Sequence, residues 1–211
     1  LTAEGTESDS ITFTSNSTSP SSGDWYGIYL RDSNSHGSFA YNKSEYTTYG
    51  IRSHNQYGSS SDTTRIVHSL FKHSGYGVYF YYSFNTTIIE NNTFTDLSSR
   101  GIYIDGCGRY GTVTINNNTL IETDGLVLYG YGNPSYFNNF EITNNTILEN
   151  NGYGMQIYRA NGLIISGNTV ENSSSWAIHV NDSEGYYDSP YEIFDNIITD
   201  NQYGLELYYV C

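Results

Sequence analysis

Basic residues are scarce in this chain of 211 residues, which has 8 Lys and Arg against 22 Asp and Glu and a formal net charge of −14. So acidic a chain repels phosphate backbones and anionic lipids, which excludes a general nucleic-acid binder and a polybasic membrane anchor. No apolar run approaches the roughly 18 residues of a membrane-spanning helix, and no basic-then-apolar signal segment opens the chain. We therefore expect a soluble protein without a membrane span.

Other residue types are scarce too: charged residues make up 14% of the chain, and there are three Pro, two Cys and one Met. The low charge content excludes the profile of a disordered acidic tail. The P-loop, HExxH and CxxC motifs are absent, and the five His show no metal-ligand spacing. No cofactor and no metal is predicted. Instead the chain has 21 Gly, 23 Tyr and abundant Asn, Ser and Thr, which suit an exposed wall of neutral polar groups.

A repeat dominates the sequence, in which an apolar residue is followed by Asn three positions later and by another apolar residue two further on. Five segments carry it: IENNTF (89–94), INNNTL (115–120), ITNNTI (142–147), ISGNTV (165–170) and IFDNII (193–198). Three earlier segments extend the series: FTSNST (13–18), FAYNKS (39–44) and IVHSLF (66–71), the last with Ser69 in the Asn position. The starts lie 23 to 28 residues apart, which predicts eight coils.

A second motif follows each start, a small residue and then apolar–any–apolar, as in GIYI (101–104) and GLEL (204–207). Its period of two predicts a strand with one buried face. The predicted inward positions are Ile28, Ile51, Val78, Ile102, Leu126, Met155, Ile178 and Leu205, then, two residues on, Leu30, Ser53, Phe80, Ile104, Leu128, Ile157, Val180 and Leu207.

Two short strands in each repeat of about 25 residues cannot bury their own apolar face, so we expect the coils to stack as a solenoid. We interpret the Asn position as a turn, because Asn tolerates left-handed backbone and bonds its own chain there. Successive Asn amides would then bond one another along the stack.

These repeats resemble the right-handed parallel β-helix repeats of the pectate-lyase-like superfamily, in particular the short Asn-Thr and Gly-rich repeats of secreted and surface proteins. The resemblance covers about residues 11–211, a single β-helix domain that follows a polar segment at 1–10. It implies an all-β, right-handed parallel β-helix. It implies no single activity, because the superfamily includes lyases, hydrolases, phage tailspikes, adhesins and structural surface proteins.

In that superfamily the substrate usually lies along the outward face of one sheet. The outward positions here hold only two carboxylates, Asp105 and Glu206, four coils and thus roughly 19 Å apart. Paired glycosidase carboxylates need roughly 5 to 9.5 Å, so a non-enzymatic function is favoured. His179 and Glu206 lie on adjacent coils, as an acid–base couple or an ion pair. The loops 130–139 and 182–191 could contribute acids such as Glu184 or Asp188.

Tyrosines line the same outward face. They suit self-association or stacking on sugar rings, and they are also ordinary strand residues whose hydroxyls reach water. The outward set is Tyr29, Tyr79, Tyr81, Tyr103, Tyr129, Tyr158 and Tyr208, and a second aromatic column precedes the small residue, at Tyr26, Tyr49, Tyr76, Tyr153, Trp176 and Tyr203.

The two ends of a parallel solenoid need covering. Residues 1–10 are too polar for a capping helix, so we expect the last coil to meet the first coil of another copy, head to tail, as in a filament. Cys107 and Cys211 occupy similar positions four coils apart, roughly 19 Å, whereas a disulfide needs Cα atoms within about 7 Å. They are therefore free thiols or an intersubunit disulfide.

Eight Asn-X-Ser/Thr sequons mark candidate glycosylation sites of a secreted protein: Asn16, Asn42, Asn85, Asn91, Asn117, Asn144, Asn172 and Asn181. Repeats of Asn-Asn-Thr generate sequons automatically. Asn16 and Asn42 fall in the Asn position of the repeat, where successive amides would form a hydrogen-bonded ladder. We expect Asn85, Asn172 and Asn181 to be the better acceptors, because they lie outside the ladder.

Two functions follow from the sequence. The first is an extracellular, glycosylated structural solenoid at the cell surface that associates with itself in a filament or layer, through its ends and tyrosine face. The alternative is a β-helix that binds or cleaves polysaccharide.

Overall fold

The computed structural model describes residues 1–31, 36–56, 62–83, 86–107, 111–130, 139–183 and 191–210, with only the backbone of 55, 56, 107, 182 and 183. These residues form 24 strands in three parallel sheets of eight. In this part of the chain, no helix is long and apolar enough to cross a membrane.

Each turn of the chain contributes one strand to each sheet. Sheet 1 consists of β1 Thr2–Glu4, β4 Ser38–Ala40, β7 Thr63–Val67, β10 Thr86–Glu90, β13 Thr112–Asn116, β16 Asn139–Thr143, β19 Gly162–Ser166 and β22 Tyr191–Phe194. Sheet 2 consists of β2 Ile11–Phe13, β5 Asn42–Glu45, β8 Leu70–Ser74, β11 Thr93–Leu97, β14 Thr119–Ile121, β17 Thr146–Leu148, β20 Thr169–Glu171 and β23 Ile197–Thr199. Sheet 3 consists of β3 Ile28–Arg31, β6 Tyr49–Gln56, β9 Tyr76–Ser83, β12 Ile102–Cys107, β15 Leu126–Gly130, β18 Met155–Tyr158, β21 Trp176–Ser183 and β24 Tyr203–Val210.

The predicted all-β parallel β-helix is confirmed, since every strand pairs in parallel with its counterpart one turn away. The first and last strands lie at the sheet edges, which leaves six turns with neighbours on both sides. The expectation of two strands per repeat was wrong. There are three, because strands form on both sides of the bend at the Asn position, as β10 and β11 do in the repeat that starts at Ile89.

Register stacks similar residues over one another in the core. Ile102 pairs with Val78 on one side and Leu126 on the other, and all three are buried. The packing between covered coils restricts the small residue at the start of the sheet 3 strands. A Cβ on Gly77 would lie 2.4 Å from the ring of Phe94 and 2.6 Å from the carbonyl oxygen of Gly101. A larger side chain therefore does not fit at Gly77 without a shift of its neighbours.

The Asn ladder is real, but the left-handed residue is its neighbour. The backbone N–H of Asn118 donates to Oδ1 of Asn145 at 2.9 Å, and that of Asn145 donates to Oδ1 of Asn168 at 2.9 Å. The positive φ belongs to the residue before each ladder Asn, for example 54° at Asn117 and 57° at Asn144. The ladder amides point inward and satisfy the backbone of the bend, while the preceding residue points outward.

The first coil begins earlier than the pattern indicated. Ala3, not Phe13, pairs with Phe39, and Phe13 pairs with Ser44 in sheet 2. Residues 5–10 extend the first bend, closed by a bridge between Thr6 and Asp9. The match of FTSNST to the repeat was therefore coincidental. Asn16 is exposed in the loop that follows β2, outside the ladder.

Candidate functional site

The outward side of sheet 3, here called the tyrosine face, is the most distinctive surface of the molecule. Register places Tyr79 beside Tyr103 and Tyr129 beside Tyr158 on neighbouring strands. The strands also carry the other predicted outward tyrosines: Tyr29, Tyr81 and Tyr208. The sequence thus identified which residues share this face.

The tyrosine rings stack on one another along the solenoid. The ring centroids of Tyr79 and Tyr103 are 4.9 Å apart with 15° between the planes, and those of Tyr129 and Tyr158 are 4.5 Å apart with 3°. Tyr49 and Tyr76 stack in the second column at 5.3 Å. A ring stacked in this way presents its edge and hydroxyl to solvent, because its flat face already contacts a neighbour.

Arg52 takes the place of a tyrosine in the column. Its guanidinium carbon lies 4.9 Å from the ring centre of Tyr49, 5.2 Å from that of Tyr29 and 5.5 Å from those of Tyr26 and Tyr79. Its buried Nε has no hydrogen-bond partner among the described residues. Cation–π contacts thus continue the stack through this coil.

Asp105 is the carboxylate in the middle of the tyrosine face. The Tyr103 hydroxyl donates to it at 3.3 Å. Burial raises the pKa of Asp105, against the opposing effect of that hydrogen bond. Burial and the neighbouring Asp105 also raise the pKa of Tyr103, while burial and Tyr129 raise the pKa of Tyr158 to about 12. The hydroxyls of Tyr103 and Tyr158 therefore remain protonated donors at neutral pH.

The carboxylates of this face do not form a catalytic pair. Asp105 lies in β12 and Glu206 in β24, four strands apart in sheet 3, which is roughly 19 Å at the usual strand spacing. Glu206 instead contacts His179, whose Nδ1 lies 2.6 Å from Oε2. Within the described part of the face, the geometry gives a close His–Glu contact and a carboxylate far from any other on the face.

The bend between sheets 1 and 2, the first corner, and the bend between sheets 2 and 3, the second corner, each hold a column of left-handed residues. The first corner has φ of 50–66° at Tyr41, His68, Asn91, Asn117, Asn144, Gly167 and Asp195. The second has φ of 51–60° at Tyr46, His73, Asp96, Glu122, Glu149, Asn172 and Asp200. Sequence analysis missed both columns, although the residue before each ladder Asn was the available signal for the first.

A groove of about 830 Å³ follows the second corner, with residues 20–22 as one wall and His73, Asp96, Glu122 and Glu149 lining the rest. His73 Nδ1 lies 2.5 Å from Asp96 Oδ2, and the His73 ring stacks on Tyr46 at 5.4 Å. The groove is open and acidic. Its one imidazole already has a carboxylate partner.

Several predicted residues lie outside the described part of the chain: Asn85, Glu184, Asp188, Cys211, the side chain of Cys107 and most of the loops 130–139 and 182–191. An intersubunit disulfide therefore stays a prediction. Within the described residues, no group of three or more His, Cys, Asp and Glu is arranged to hold a metal ion.

A model of one protein family matches residues 16–208, and its description is periplasmic copper-binding protein (NosD). No curated protein and no solved structure matches the chain.

Proposed function

The chain belongs to the NosD family, and on that premise we propose that it is a non-catalytic, glycosylated structural solenoid outside the cytoplasm, in the cell envelope or at the cell surface, which associates end to end with further copies. One observation carries the proposal. In β24 the inward Leu205 and Leu207 are 43% and 51% exposed, whereas Ile178 and Val180, their partners in β21, are fully buried. An apolar cross-section of this kind is buried when a further coil stacks on it, and in this proposal that coil is the first coil of a second copy.

The first coil offers a matching surface. It carries partly or fully exposed apolar side chains at Leu1, Ala3, Ile11, Phe13 and Ile28. β1, β2 and β3 have a partner on one side only, as do β22, β23 and β24. Strands in a head-to-tail contact keep the same direction, so a second copy would extend all three parallel sheets.

Acidic residues surround both surfaces. Glu4, Glu7 and Asp9 are exposed on the first coil, and Glu192, Asp195 and Asp200 are exposed on the last. These like charges oppose the contact, and salt at 0.1 M largely screens the repulsion between exposed charges more than about 10 Å apart. We therefore expect association to strengthen with ionic strength, as hydrophobic contacts with an acidic rim should.

Sedimentation velocity over a dilution series, at low and high salt, tests this proposal. The unmodified chain should form oligomers that grow with concentration and salt, and negative-stain images should show rods longer than one solenoid. Replacing both Leu205→Glu and Leu207→Glu should keep the chain monomeric, because the charges would be buried in the contact.

Leu148→Glu is the matched control, since Leu148 points outward from β17 on the side of the solenoid. It should leave association unchanged. A chain that stays monomeric at every concentration and salt level contradicts the proposal, as does a double variant that associates like the unmodified chain.

Carbohydrate binding at the tyrosine face is a second candidate, favoured by Tyr26 and Tyr29, which are 45% and 37% exposed. The inner rings of the stack offer only edges and hydroxyls, so sugar stacking would concentrate at the two ends of the face, the other of which holds Tyr208, 50% exposed. A glycan array with neutral polysaccharides and polyuronides tests it. Binding that Tyr26→Ala and Tyr29→Ala abolish would favour this function, and silence across the array would exclude it.

Copper binding, which the family description names, is not part of the proposal because the described residues do not fit the ion. Copper selects soft sulfur ligands and imidazoles. Met155, the only Met of the chain, is fully buried in the core, and the His73 and His179 imidazoles each contact a carboxylate. Within the described part of the chain, no cluster of three suitable side chains brings these groups together.

A further inference from the structure

The sequons of the chain face in different directions. We infer that Asn91, Asn117 and Asn144 form a row of N-glycosylation sites along the first corner, whereas Asn42 is closed to modification in the folded protein. The inference rests on the proposed function in one respect, the location outside the cytoplasm. It goes further in stating which asparagines of the first corner take the sugar and how many can do so together, and the expectation for Asn85, Asn172 and Asn181 stays a prediction.

In this row, the Asn amide and the Thr hydroxyl of each sequon lie on the outer side of the solenoid. Asn117 and Asn144 are exposed at left-handed positions, and the hydroxyls of Thr119 and Thr146 lie on the outward side of sheet 2. Only the middle residue of each sequon points inward, as Asn145 does in the buried ladder. A transferase that reads the Asn amide and the Thr hydroxyl therefore meets both on one surface.

Relative to the sequons of the row, the sequon at Asn42 is shifted by one position along the repeat. Its Asn and Ser therefore point inward and its middle residue points outward. Asn42 itself occupies the ladder position and is 4% exposed, and Ser44 is 2% exposed. The Asn42 side-chain amide donates to the carbonyl of Ala3 at 2.9 Å. The middle residue, Lys43, is the one that faces outward. Its sequence matches the motif, but its recognised groups lie inside the solenoid.

Spacing limits how many sites in the row can be filled. Neighbouring coils are about 4.8 Å apart, which is close to the width of one sugar ring. Asn117 Nδ2 donates to Asn91 Oδ1 at 2.6 Å, so a sugar on Asn117 would displace this contact and crowd both neighbours. We expect Asn91 and Asn144 to be modified together, or Asn117 alone, and never all three.

The reaction is an ordinary glycosyl transfer from a lipid diphosphate-linked oligosaccharide. The amide nitrogen of Asn bonds to the anomeric carbon of the sugar, and the bond from that carbon to the phosphate oxygen breaks. The lipid diphosphate leaves with the electron pair, and the amide proton passes to a base of the transferase. The solenoid contributes only the presentation of the acceptor.

The test incubates the purified, folded chain with an oligosaccharyltransferase and its lipid-linked donor, and measures the occupancy of each site by mass spectrometry. Synthetic peptides spanning 37–48 and 139–150 serve as unfolded references. Both peptides should be modified, whereas the folded chain should be modified at Asn144 at least tenfold more than at Asn42. Equal modification of both sites in the folded chain overturns the inference, and so does a row left bare while its peptide reacts.

Two variants sharpen the result. Thr146→Ala should abolish modification of Asn144, and Thr146→Ser should restore it. Gly167→Asn should create a new acceptor, because position 167 is left-handed with φ of 66° and precedes the ladder Asn168 and the outward Thr169. A Gly167→Asn chain that is not modified at position 167 contradicts the inference that first-corner positions present the acceptor. Cell fractionation tests the location separately, so a cytoplasmic chain would refute the proposed function without changing this result.

Discussion

Two neighbouring strands of sheet 3, β21 and β24, carry the same pattern and differ in their surroundings. Ile178 and Val180 of β21 are fully buried, whereas Leu205 and Leu207 of β24, at the same repeat positions, are largely exposed. The exposure differs because β21 has a neighbouring strand on both sides, whereas β24 has a neighbouring strand on one side. An apolar side chain in this fold is buried by the next coil, so each coil depends on its neighbours.

The largest effect is expected in the Asn ladder. The Asn145 side chain donates to the carbonyls of Ile115 and Thr143 and accepts the backbone N–H of Asn118. Asn145→Ala would leave these buried groups unsatisfied and should lower the free energy of unfolding by about 3–5 kcal/mol. Asn196→Ala, in the half-covered last coil, should cost about 1 kcal/mol. Urea unfolding followed by circular dichroism measures both. Equal losses of unfolding free energy for the two variants would contradict the difference between the inner coils and the last coil.

Core truncation should follow the same order. Ile178→Ala creates a cavity between two covered coils and should cost about 3 kcal/mol. Leu205→Ala removes a side chain that still contacts water and should cost less than half as much. The same urea titration gives both values. A larger loss of unfolding free energy for Leu205→Ala than for Ile178→Ala would contradict the claim that burial by neighbouring coils determines stability.

The repeated glycines allow a closer comparison. A Cβ on Gly154 would lie 2.4 Å from Val170 Cγ1 and 2.6 Å from the Ala177 carbonyl oxygen, whereas a Cβ on Gly204 meets nothing within 4 Å. Gly154→Ala should therefore lower stability by about 1–3 kcal/mol. Gly204→Ala should be neutral or raise stability by about 0.4–1 kcal/mol, through lower entropy of the unfolded chain. Thermal unfolding of both variants provides the measurement.

The smallest effect is expected from two partly buried carboxyls. Burial opposes ionisation of Glu45, but hydrogen bonds from Lys43 and Lys72 outweigh it and lower its pKa, whereas burial raises the pKa of Asp105. Glu45 therefore contributes stability above its ordinary pKa that is lost as pH falls. Ionised Asp105 reduces stability, which recovers as pH falls.

At neutral pH, Glu45→Gln should lower the free energy of unfolding and Asp105→Asn should raise it, each by about 1 kcal/mol or less. Both differences should shrink in acid. Urea titrations at neutral and acidic pH measure them, and a shift of the same sign for the two variants would contradict the assignment.

Much of this fold could be predicted from the sequence because register repeats the same residue at the same place. The columns led by Ile102 and by Tyr79 follow from aligning the motifs, and pairing confirms them. The expectation of two strands per turn was wrong because the short segments on the two sides of the Asn position were not counted as separate strands. The Asn position itself was predicted as a turn, and the chain does bend there.

Other features depend on contacts between different turns, which the pattern within one repeat does not reveal. The stacking of Tyr129 on Tyr158 and the start of the first coil at Thr2 both depend on pairing with another turn. The insertion at 5–10 shifted the apparent start of the first repeat, so Asn16 was wrongly assigned to the ladder. The contacts of Arg52 with Tyr29 and Tyr79 likewise come from neighbouring strands and required the structure.

Amide hydrogen exchange of β24, compared with β21, tests the open end coil most directly. In dilute protein the amides of β24 that do not face β21 should exchange rapidly, whereas those of β21 should be protected. In concentrated protein at high salt, β24 should gain protection as a second copy covers it, and Leu205→Glu with Leu207→Glu should prevent this gain. Protection of all β24 amides in dilute protein, or no gain at any concentration, would contradict end-to-end association.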